Sequence, residues 1–134
     1  MTQTETKSVI VEREMPFQPE KIWRALTTPH LIAEWLMQND FQPAIGHRFQ
    51  LRGAWGAADC KVLALEPNQR LSYTWDAMGL NSVVTFTLSP TAKGTHLRME
   101  QEGFKPGMGQ AYAGAKMGWQ NFLDRLVQLL EKQP

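Results

Sequence analysis

One cysteine, Cys60, among 134 residues excludes an intramolecular disulfide and any paired-cysteine metal site. No apolar run approaches the ~20 residues that a membrane-spanning helix needs. The start, Met1 to Lys7, is polar and lacks the basic, apolar and small-residue order of a secretory signal. A cytoplasmic location is the expectation. Charge of one sign is missing too: fourteen basic residues face thirteen acidic ones, for a net charge of +1, and neither sign forms a block. This argues against nucleic acid as a partner. The three histidines, His30, His47 and His96, show no HxH or HExxH spacing, so no metal is expected. The glycines from Gly103 to Gly118 match neither the GxxxxGK[ST] loop nor a strand-borne GxGxxG, and no cofactor is expected. Cys60 has no partner nearby in the sequence and reads as inert.

What the chain does have is large aromatics and methionines. Five tryptophans (Trp23, Trp35, Trp55, Trp75, Trp119) and seven methionines suit either ordinary core filling or an apolar cavity. The length is that of one domain, 1–134, able to bury roughly 65–70% of its unfolded surface.

The most informative segment runs from Pro106 to Pro134. Tyr112, Ala115, Trp119, Phe122, Leu123, Leu126, Leu129 and Leu130 recur at steps of three and four, with Lys116, Gln120, Asp124, Arg125, Gln128 and Glu131 opposite. That is a long amphipathic helix in need of a partner surface. The rest of the chain supplies strands. Ser8 to Glu14 alternate, with Val9, Val11 and Arg13 on the presumed inner face. Pro19 and Pro29 each suit the first turn of a short helix, the second capped by Thr27 or Thr28. From Gly46 onward, His47–Leu51, Ala58–Glu66, Arg70–Trp75, Ser82–Ser89 and Thr95–Gln101 read as an antiparallel meander, with clear turns at Pro67-Asn68 and Pro90 to Gly94. Segregating strands from helices in this way is an α+β plan.

Several stretches together resemble a known family. Pro19 to Pro29 followed by Trp35, Gly46-His47-Arg48-Phe49, Glu66 to Leu71 leading into Tyr73-Thr74-Trp75, Gly94-Thr95-His96-Leu97, and Gly118-Trp119 before Phe122-Leu123 occur in the order found in proteins related to the activator of the heat-shock protein 90 ATPase. These belong to the START-like, birch-pollen-allergen-like (SRPBCC) superfamily. The resemblance implies a helix-grip fold: a curved antiparallel sheet of about six or seven strands around the C-terminal helix, with two short helices closing one end. It leaves function open among lipid carriers, hormone receptors, polyketide cyclases and co-chaperones linked to stress response.

The expected function is binding of a small apolar, aromatic or lipid-like ligand between sheet and helix. The candidate lining is Trp35, Phe49, Leu51, Trp55, Tyr73, Trp75, Phe86, Met99, Phe104, Tyr112, Met117 and Trp119, with no catalytic residue among them. Arg13 either reaches solvent or a carboxylate such as Asp76 or Glu100, or enters the pocket to orient a ligand's polar group. Gly114 and Gly118 either pack the helix close to a strand or leave room for a ligand. In the second case the loop from Phe104 to Gly109 is a gate. The rival readings are a protein-interaction module with a chaperone partner, and a cyclase or dehydratase. Antiparallel edge strands and Trp55 leave monomer and homodimer both open.

Overall fold

The computed structural model describes residues 6–133. Strand β1 (Lys7–Met15) leads into helices α1 (Pro19–Thr27) and α2 (Pro29–Trp35). Six strands follow: β2 (Gln38–Asn39), β3 (Arg48–Gly53), β4 (Gly56–Glu66), β5 (Arg70–Ala77), β6 (Leu80–Thr91) and β7 (Gly94–Phe104). Helix α3 (Gly109–Lys132) ends the described chain. The seven strands form one antiparallel sheet in the order β1-β7-β6-β5-β4-β3-β2. This is the α+β helix-grip architecture expected from the sequence.

The differences from the sequence reading are small and local. The turn expected at Pro90 to Gly94 narrows to Ala92-Lys93, because Pro90 and Thr91 continue β6 and pair with Thr95 and Gly94. Neither Thr27 nor Thr28 caps α2 through its side chain. β2 is too short to show a period, and pairs only through Gln38–Arg52 and Asn39–Leu51. The last helix begins at Gly109 rather than Pro106, because Gly107 takes a φ of +93° and turns the chain before the helix starts. Pro134 lies outside the described residues.

Alternation decides which face is covered. Val9 and Val11 of β1, Leu71 and Tyr73 of β5, Val84, Phe86 and Leu88 of β6, and Leu97 and Met99 of β7 are all buried on the inner face. Glu12, Glu14, His96, Arg98 and Glu100 occupy the outer one, where His96 binds Glu12 at 2.6 Å and also Glu14. Gly94 is required at the start of β7: its φ is +156°, and a Cβ there would sit 2.1 Å from the Met15 carbonyl oxygen.

Helix α3 divides into two halves. Its buried residues are Trp119, just before the midpoint, and Leu123, Leu126, Leu129 and Leu130 in the C-terminal half. That half is held by α1 and α2, and Lys21 of α1 donates to the Gln133 carbonyl at 2.7 Å, a cation at the negative end of the helix dipole. The helix makes its closest backbone approaches to β1, α2 and α1, and stands off from the central strands. A wedge of space therefore opens between the N-terminal half of α3 and the far ends of β5 and β6.

Candidate functional site

The wedge is a groove of about 450 Å³. One wall is the inner face of α3: Ala111, Gly114, Ala115, Gly118, Trp119 and Phe122, at helical spacing. Opposite stand Trp75, Ala77, Met78 and Leu80, where β5 turns into β6. Met37, Trp55, Gln101 and Phe104 complete the lining. The β5–β6 turn is Met78-Gly79 with φ of 53° and 83°, the left-handed pair that a two-residue hairpin demands. Methionine adopts that conformation at some cost, and its side chain stands 83% exposed at the groove's rim.

The helical glycines sit where the groove needs space. A Cβ added at Gly114 would meet nothing within 4 Å, and one at Gly118 would meet only a Phe122 ring carbon at 3.9 Å. Close packing of the helix on a strand is therefore not what these glycines serve. They leave the helix wall bare at these two positions.

The floor is aromatic and internally hydrogen-bonded. Trp119 packs edge-on against Trp75, Phe86 and Phe122, with ring centroids 5.6, 5.8 and 5.5 Å away. Its indole N–H donates to Gln101 Oε1 at 2.8 Å. Gln101 Nε2 donates to Ser82 Oγ at 3.0 Å, and Ser82 Oγ donates to the Trp75 carbonyl at 2.7 Å. Among the described residues, the groove's lining carries no ionisable side chain.

The sequence candidates fall into three groups. Trp55, Trp75, Phe104 and Trp119 line the groove. Trp35, Phe49, Leu51, Tyr73, Phe86 and Met99 are buried in the core beneath it. Trp35 is fixed there by donating its indole N–H to the Ala25 carbonyl at 2.9 Å, while Phe49, Tyr73 and Phe86 form a ladder of ring contacts. Burial pushes the Tyr73 phenol well above its usual range, so it stays neutral. The third group lies elsewhere. Met117 is 69% exposed on the outer side of α3. Tyr112 borders a smaller recess of about 270 Å³ beside Lys7 and the Lys105–Gly109 segment, with Phe104 shared between the two hollows. Arg13 turns toward the helix, donating to Asp124 at 2.9 Å and to Gln120 Oε1 at 2.8 Å.

Lining residues absent from the sequence candidates include Met37, Met78, Leu80, Gln101 and Phe122. Gln101 had a usable signal: it occupies an inward position of β7, in register with Val9 and Val84, where a carboxamide needs a reason. Cys60 is buried, and burial, reinforced by Asp76, Asp59 and Asp40, pushes its thiol up to about 12. It is no nucleophile at neutral pH. The described residues hold no cluster of three or more His, Cys, Asp or Glu fit for a metal ion. No helix among them is long and apolar enough to cross a membrane.

The family model described as activator of Hsp90 ATPase homolog 1-like protein matches residues 16–131. The chain belongs to this family. Members of known structure superpose closely along its length. Protein MLL2253 of Mesorhizobium loti is 58% identical, covering 96% of this chain and 99% of that one, with a TM-score of 0.93. Protein BH1534 of Bacillus halodurans is 29% identical, covering 96% and 99%, with a TM-score of 0.84. DynU16, a putative protein in the dynemicin biosynthetic locus, is 29% identical over 93% of this chain and 47% of its own, with a TM-score of 0.84. Comparison with the curated proteins found no match. The Hsp90-activator-like family thus accounts for the sheet, the gripped helix and the two short helices, and leaves the groove's occupant to be argued from its chemistry.

Proposed function

We propose that this single-domain protein is a cytoplasmic binder of a small, mostly apolar molecule, aromatic or lipid-like, held without covalent chemistry between sheet and helix. The observation that carries this reading is the groove itself. Three tryptophans and two phenylalanines surround about 450 Å³ of space, and Gly114 and Gly118 leave two positions of the helix wall without side chains. That volume lies within the range of small-molecule sites, which are apolar with a few placed polar groups. A contiguous, solvent-facing apolar lining of this kind is a mark of interaction and ligand-binding surfaces. Titration with flat aromatics and fatty acids, followed by ¹H–¹⁵N correlation spectra, tests it. Shifts should concentrate at Trp55, Trp75, Phe104 and Trp119. An unchanged spectrum at millimolar concentrations of every compound overturns the reading.

The family description supports a second reading, a module that acts on a chaperone ATPase. Capture of a chaperone from lysate, with stimulation of its ATPase by the purified protein, would favour that role over ligand carriage. A cyclase or dehydratase role ranks last. It needs a group that gives and takes protons at the site, and the groove's one amide, Gln101, does neither.

A further inference from the structure

The groove is apolar except at one place. Gln101 is almost completely buried, yet it is one of the groove's lining residues. The orientation of that amide is fixed by chemistry. An indole N–H only donates, so the oxygen must face Trp119, and the nitrogen is left to donate to Ser82. Ser82 Oγ spends its own proton on the Trp75 carbonyl and accordingly accepts from Gln101. The network locks the carboxamide in place.

A carboxamide has two N–H donors and two acceptor lone pairs. Among the described residues the Gln101 carboxamide commits one donor to Ser82 and one lone pair to Trp119, which leaves one of each. A hydroxyl is the smallest partner that both donates and accepts. We infer that Gln101 determines ligand choice and that the preferred ligand is a neutral hydroxylated aromatic, its ring among Trp55, Trp75 and Trp119 and its hydroxyl on the Gln101 carboxamide. This inference rests on the reading of the groove as a ligand site. It goes beyond that reading by excluding two neighbours of the same shape. A plain hydrocarbon leaves the spare donor and acceptor dry, and a carboxylate brings a charge into a lining that has no cation to receive it.

Three probes of one ring system separate these cases: naphthalene, 2-naphthol and 2-naphthoate, titrated at neutral pH and followed through the Trp119 indole N–H and the Gln101 side-chain amide resonances. In the unaltered protein 2-naphthol should bind roughly three- to tenfold more tightly than naphthalene, the effect of one satisfied buried hydrogen-bonding group. 2-Naphthoate should be the weakest. The Gln101 amide resonances should move with 2-naphthol and hardly at all with naphthalene. In Gln101→Met, which keeps the volume but not the amide, the order should reverse in favour of naphthalene. The amide resonances decide the matter even if that variant does not fold. Equal affinities for naphthalene and 2-naphthol, an unmoved Gln101 amide, or a preference that survives Gln101→Met would each overturn the inference while leaving ligand binding intact. If none of the three probes binds, this inference falls, and the ligand-binding reading falls with it only when the fatty acids and other aromatics also leave the spectrum unchanged.

Discussion

Arg13 on the first strand and Asp124 on the last helix are joined at 2.9 Å, although 111 residues separate them in the chain. The same guanidinium reaches the Gln120 side chain and, at 3.3 Å, its carbonyl, so an edge strand is tied to the helix by a small cluster of bonds. Asp124 is 60% exposed and the ion pair is largely screened. Asp124→Asn should therefore cost less than about 1 kcal/mol in denaturant unfolding. Arg13→Ala loses the packed stem as well as every bond and should cost about 1–2 kcal/mol. Affinity for aromatic probes should be the same in both variants as in the parent, because the cluster lies away from the groove lining. A tenfold loss in Arg13→Ala with no loss in Asp124→Asn would instead assign the guanidinium to the ligand.

His96 offers a second check, on the outer face of the sheet. It bridges Glu12 and Glu14 of the neighbouring strand, and the hydrogen bond to Glu12, then that to Glu14, raise its pKa above the usual 6.5. Because the folded value lies above the unfolded one, the imidazolium's contribution to stability is complete below about pH 6.5 and fades as pH rises through the folded value. Thermal unfolding should show a midpoint that falls as pH rises above about 6.5, and His96→Gln should flatten that fall. An identical slope in the variant would show that the contact does not matter.

How much of this was legible beforehand follows from periodicity. The alternation in β1 and β5 to β7 and the three-four spacing of α3 are repeated often enough to identify each element and its inner face, which is why the fold came through. The division of α3 was legible for the same reason: leucine is dense after Trp119, and glycine is dense before it. The groove's membership was harder. Phe49, Tyr73, Phe86 and Trp75 share one alternating face, but only Trp75 stands beyond the part of the sheet that the helix covers, and no spacing encodes where a helix lifts away. Met117 followed composition rather than phase: on α3 it lies two residues from Trp119, nearly opposite the buried stripe. Met37 and Met78 lie in a loop and a turn, where no period applies.

The C-terminal half of α3 anchors the sheet, and Leu126 is its centre. It is fully buried, so truncation leaves a cavity that surrounding residues fill only in part. Leu126→Ala should lower unfolding free energy by about 2–5 kcal/mol, measured by denaturant titration. Cooperative unfolding with a loss below about 1 kcal/mol would mean that the helix is held elsewhere.

Glycine in the N-terminal half of the same helix provides the opposite test, since there stability and function should part company. Each glycine inside a helix costs up to about 1 kcal/mol relative to alanine, and a Cβ at Gly114 meets nothing. Gly114→Ala should accordingly raise stability by roughly 0.5–1 kcal/mol. A larger side chain at Gly118 projects into the space bounded by Trp75, Trp119 and Phe122. Gly118→Leu should keep the circular dichroism spectrum and cooperative melting of the parent, yet weaken aromatic probes at least tenfold. The pair of outcomes matters more than either alone. Lost binding with a retained fold places the occupant against this stretch of helix, whereas unchanged affinity in Gly118→Leu would move the binding site out of the groove altogether.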